Sequence, residues 1–149
     1  MTSFDRYFLI VANLLAGLSG AAYGLIHWLG EPADELALVH PWQPAAQYVH
    51  LLAAPLLVLA IGQVLYHHGV LSWRAGVREG RRSGLALLGL ALPMIFSGYL
   101  LLLATGEFWR PFWIAVHVAT ALIWISAFLA HLRSHARRRV VAGPAGPED

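Results

Sequence analysis

Eight histidines stand in a chain of 149 residues that has no cysteine. Without a thiol there is no disulfide framework, thiolate zinc site, iron–sulfur cluster, covalently attached c-type haem or cysteine nucleophile. Coordination through imidazole is the chemistry that remains. Two of the histidines close a repeated string. Trp42-Gln43-Pro44 is followed after four residues by Val49-His50, and Trp109-Arg110-Pro111 after four residues by Val116-His117, a shared W-x-P-x-x-x-x-V-H. His50 to His68 and His117 to His135 are both separations of 18, and Leu18-Ser19-Gly20 resembles Phe96-Ser97-Gly98. The chain therefore reads as two tandem helical hairpins, the first pair of helices repeated as the second.

The elements that position these residues follow from composition. Hydrophobic residues make up 58% of the chain and charged residues 12%, against about 25% charged in soluble domains. Asp, Glu and Arg are missing from four stretches long enough to cross a bilayer, which takes about 20 apolar residues. These predict helices at about 7–30, 45–68, 83–106 and 111–135, with Pro41 and Pro44 marking the start of the second. The expected fold is all-α: a four-helix transmembrane up-down bundle over residues 1–135, followed by a disordered cytoplasmic tail over 136–149. Asp5 and Arg6 give no basic leader region, so the first span reads as a permanent helix rather than a signal peptide.

All ten basic residues are Arg, and nine flank the same side of the expected spans: Arg6, the loop with Arg74, Arg78, Arg81 and Arg82, and the tail with Arg133, Arg137, Arg138 and Arg139. Cytoplasmic loops accumulate positive charge, so both termini are expected in the cytoplasm. Trp28, Trp42, Trp109 and Trp113 then fall at the outer interface, where aromatic belts sit. Topology accounts for the net charge of +2, and a nucleic-acid partner is not expected.

His50 lies six residues after Pro44, and His117 six after Pro111. At 1.5 Å per residue each is about 9 Å below the outer start of its helix. Two neutral imidazoles at one depth suit the axial positions of a non-covalent b-type haem. A second level lies towards the cytoplasmic ends. His131 is about 21 Å along the axis from His117 and about 40° off its face, and His68 is about 27 Å from His50 on the same face. These spacings suit a second, inner haem b on His68 and His131, with His67 and His135 as the alternatives at that level. Interfacial rings are the plain reading of His67, His68, His135 and His27, and plain surface that of His40. Gly17, Gly20, Gly24, Gly84, Gly89 and Gly98 permit close approach of a helix or a porphyrin face. Pro93 is expected to bend the third helix. Arg110 is the candidate partner of a haem propionate at the outer mouth.

Four spans, a histidine at the outer level of helices 2 and 4, and the 14 residues from His117 to His131 resemble the bacterial di-haem cytochrome b membrane subunits. That group includes the gamma subunits of formate dehydrogenase and nickel–iron hydrogenase and the small bacterial cytochromes b. The likeness is most specific from Ser97-Gly98-Tyr99-Leu100-Leu101 through His117 to His131. It implies an outer haem on His50 and His117, an inner haem with His131 as one ligand, and electron transfer between a periplasmic redox protein or dehydrogenase subunit and the quinone pool. It also implies residence in the bacterial inner membrane, as a complex subunit or homo-oligomer. The chain departs from the pattern at the start of helix 1, where Arg6-Tyr7-Phe8-Leu9 holds no histidine; His68 or His67 takes that place, or the inner haem is absent. Two other classes compete: a His-lined transition-metal transporter or binding protein, and a cofactor-free membrane anchor or assembly subunit.

Overall fold

The computed structural model describes residues 2–32, 38–76 and 81–141, without the side chains of residues 67, 68, 72, 81, 82 and 135–141. Four long helices carry the chain: α1 (Ser3–Leu29), α2 (Gln43–Val64), α3 (Arg81–Leu103) and α4 (Trp109–Val141). Each is long and apolar enough to cross a membrane. Among the described residues there is no strand, as the all-α expectation required. α1 packs on α2 and α3 packs on α4, so the two tandem hairpins of the sequence pattern are present. They form two compact units, one ending at residue 77 and the other starting at 78.

Helix ends obey local chemistry more than charge gaps. α1 begins at Ser3, four residues ahead of the expected start, because Thr2 and Asp5 form a capping box. Asp5 N–H donates to Thr2 Oγ1 at 3.1 Å and Thr2 N–H to Asp5 Oδ2 at 2.9 Å. α2 starts at Gln43 with Pro44 in its first turn, where the missing N–H costs nothing. α2 ends at Val64 rather than His68, and residues Leu65–Val70 continue as a π-helix before one further helical turn, Leu71–Arg74. Between α3 and α4 the chain turns at Gly106, whose φ of +95° only glycine adopts without strain. α4 runs to Val141, six residues into the expected tail; the rest of that tail, residues 142–149, lies outside the described residues.

Small residues hold the first hairpin. Ala12, Ala16 and Ser19 of α1 are buried, as are Ala53, Leu57 and Ala60 of α2, and such residues let backbones approach closely. The second hairpin uses larger ones: Leu87, Ala91 and Met94 on α3, Trp124 and Phe128 on α4. On each helix the buried residues recur every three or four positions, one stripe per helix. Large apolar side chains such as Leu18, Leu52, Leu59, Leu92 and Leu122 are exposed, as suits a multi-pass membrane protein. Within α4 the hydroxyls of Thr120 and Ser126 donate to carbonyls one turn back, at 2.7 and 2.8 Å, which satisfies them inside an apolar segment.

Ala60 is fully buried in the first hairpin. Ala60→Leu is expected to destabilise it by about 1–3 kcal/mol through overpacking, read as a lower Tm in detergent, whereas Leu59→Ala on the exposed side should leave Tm almost unchanged.

Candidate functional site

His50 and His117 are both half-buried, and each turns its ring towards the partner helix of its own hairpin. In the first hairpin His50 Nδ1 lies 3.1 Å from Ala16 O and 3.2 Å from Ser19 Oγ. In the second, His117 Nδ1 lies 3.0 Å from Met94 O and 3.2 Å from Ser97 Oγ. A carbonyl can only accept, so Nδ1 carries the proton in both rings and the lone pair is on Nε2. The serine hydroxyls are turned to suit. Ser19 donates to Leu15 O at 2.6 Å, and Ser97 to Met94 O at 3.0 Å, leaving each oxygen to accept from the ring.

A glycine sits beside each serine for a steric reason. A Cβ on Gly20 would lie 2.9 Å from His50 Cε1, and one on Gly98 would lie 3.2 Å from His117 Cε1. The Ser-Gly pairs therefore form matched seats: serine and a carbonyl one turn back take the ring N–H, and glycine admits the ring edge. The histidines were legible as a pair from the W-x-P string. Their serines were visible only as a repeated tripeptide, because Ser19 and His50 are 31 residues apart while Ser97 and His117 are 20 apart.

The other candidates are arranged differently. His131 Nδ1 is 2.9 Å from Ser83 Oγ near the opposite end of the second hairpin, an exposed contact. His27 is exposed, stacks on Tyr23 at 5.9 Å, and its Nδ1 accepts from Gln43 Nε2–H at 3.2 Å. His40 Nδ1 accepts from Trp42 N–H at 3.2 Å. Neutral rings at 27 and 40 thus carry their proton on Nε2, the reverse of His50 and His117, and both lie near the turn end of the first hairpin. Arg110 is exposed in the first turn of α4. The side chains of His67, His68 and His135 lie outside the described residues. Among the described residues no three His, Asp or Glu side chains converge as a metal cluster.

Two residues with no assigned role in the sequence pattern also meet. Asp5 is 1% exposed, and Gln63 Nε2 donates to its Oδ1 at 2.7 Å. The carboxamide of Gln63 inside an otherwise apolar stretch was the available signal, whereas Asp5 lies just ahead of the first charge-free stretch.

Nitrogen NMR of histidine-labelled protein is expected to show Nδ1-protonated rings at 50 and 117 and Nε2-protonated rings at 27 and 40; the Nε2 form at 50 or 117 would refute the seat. Gly20→Ala should displace its histidine more than Gly98→Ala displaces His117, seen as the larger shift of ring resonances. Comparison of the chain with protein-family models, with curated proteins and with solved structures gave no match.

Proposed function

We propose that the protein is a membrane b-type cytochrome, an electron-transfer subunit whose outer haem would be held by Nε2 of His50 and of His117. The observation that carries this reading is the duplicated seat: in both hairpins the Nδ1–H is donated to a backbone carbonyl and a serine. Residues of this kind suit the group. A ligating histidine almost always donates its other N–H to a carbonyl, carboxylate or water, which fixes the tautomer and raises the basicity of the ligating nitrogen. When bound, a haem with two imidazole ligands supplies a one-electron iron couple without an open coordination position.

The chain's own residues do the rest. Ala16 and Met94 carbonyls hold the ring proton, Ser19 and Ser97 share it, and Gly20 and Gly98 leave room for the rings. The apolar spans exclude water, the distribution of Arg supports both termini in the cytoplasm of a bacterial cell, and Arg110 would pair with a haem propionate. The resemblance of the histidine pattern to the bacterial cytochrome b membrane subunits supports a periplasmic redox protein as one partner and quinone as the other.

Purified protein should give a reduced-minus-oxidised spectrum of b type, and His50→Ala and His117→Ala should each remove the outer haem from it. A colourless protein, or one holding zinc or copper in place of iron, would end the proposal. Ser97→Ala keeps the carbonyl and should keep the spectrum, with the midpoint potential moved upward because a less strongly hydrogen-bonded imidazole donates less charge to the oxidised iron.

A further inference from the structure

At the turn between α3 and α4 the second hairpin carries a recess of about 280 Å³, lined by Leu100 and Leu103 of α3, Ala104 and Thr105 of the turn, and Trp109 and Trp113 of α4. The polar atoms of these side chains are one hydroxyl and two indole N–H groups, and none of the six residues is charged. Trp113 is four residues ahead of His117, one helical turn and about 6 Å along the axis. Both indoles are braced by neighbouring rings. Phe112 meets Trp109 at 6.0 Å and Trp113 at 4.9 Å, each edge to face, and Phe108 meets Trp109 in the same way at 5.1 Å.

The first hairpin serves as a control. Aligned on W-x-P-x-x-x-x-V-H, Trp109 corresponds to Trp42, but Phe112 and Trp113 correspond to Ala45 and Ala46. Aligned on the Ser-Gly pairs, Leu100 and Thr105 correspond to Ala22 and His27. His50 keeps its seat beside those alanines, so the seat does not require an aromatic wall. A tryptophan belt at the membrane interface accounts for Trp42 and Trp109 alike. Trp113 and Phe112 are what the second copy adds, one turn deeper.

The lining selects its occupant. Sites for drug-sized ligands run to about 300–1,000 Å³, so this recess has room for a single substituted ring. Indole faces and edges favour a flat ring, and a hydroxyl with two N–H donors suits ring carbonyls. A phosphate head group would look for a cation, which the lining does not hold. Leu100 and Leu103, three residues apart on one face of α3, lead from the turn into the apolar span, a track for an alkyl tail.

We propose, resting on the cytochrome reading above, that this recess binds quinone, with its ring against Trp113 and Trp109, a ring oxygen accepting from the Thr105 hydroxyl, and its isoprenoid tail along Leu103 and Leu100. Quinone then meets the chain one turn from His117, on the second hairpin.

Full-length protein in detergent is irradiated with a photoreactive short-tailed benzoquinone, the labelled residues are mapped by mass spectrometry, and affinity is read from saturable quenching of tryptophan fluorescence. Labelling is expected between residues 100 and 113, competed by unlabelled quinone but not by phosphatidylglycerol. Trp113→Ala, which copies the first hairpin, should weaken binding about tenfold, and Trp113→Phe should restore part of the loss. Thr105→Val, which keeps the shape and removes the hydroxyl, should weaken it about fivefold. Labelling elsewhere, an affinity unchanged in both Trp113→Ala and Thr105→Val, or equal competition by phospholipid would overturn the inference, making the indoles interfacial anchors and the recess a lipid-filled gap. Any of these in haem-containing protein leaves the cytochrome reading standing. Protein labelled at the recess but devoid of haem would overturn that reading and leave the quinone site.

Discussion

The hydrogen bond from imidazole Nδ1 to a backbone carbonyl of the neighbouring helix is the constraint on which the site depends. A neutral imidazole brings one donor into a medium that offers no water, and an unsatisfied donor there costs several kcal/mol. The carbonyls of Ala16 and Met94 belong to helices and accept the ring proton as an additional hydrogen bond. Such a bond contributes only about 0.5–1.5 kcal/mol net to stability. Its larger effect is orientational, because it selects one tautomer and one ring direction.

That requirement reaches outward into the packing. For the ring to reach a carbonyl on the opposite helix, the helices must come close at that turn, and glycine at 20 and 98 removes the obstructing Cβ. Ala12 and Ala16 keep the first hairpin narrow along its buried stripe. The second hairpin reaches the same ring geometry with larger buried residues, Leu87 and Met94 on α3 and Trp124 and Phe128 on α4. Conserving the seat while exchanging its surroundings is what two copies of one hairpin allow, since volume in the stripe can be redistributed if the contact at the ring is kept.

Much of this was legible in the sequence. Charge-free stretches marked four spans because a bilayer excludes charge, and the W-x-P strings marked two equivalent helix starts. The partner serines were not legible as partners, since the connection after α1 occupies residues 30–42 and that after α3 only 104–108, which removes any constant spacing between Ser19 or Ser97 and its histidine. Loop length is a weak constraint on closure, so it hides a register that the helices keep. Helix limits were legible only to a few residues. A capping box drew α1 back to Ser3, a π-helix cut α2 short at Val64, and α4 passed beyond the apolar region to Val141. The first of these is settled by a local hydrogen-bonded cap rather than by hydropathy.

Each seat is complete within one hairpin, and this bears on how the protein is made. Helices enter a membrane in order of synthesis, and the donor, acceptor and gap that orient His50 all lie in the first 64 residues. His50 is therefore aimed before the last helix has left the ribosome, and His117 is aimed when the second hairpin closes. Both rings are directed by the chain itself, so any group they bind would meet two imidazoles whose rotamer entropy has already been removed.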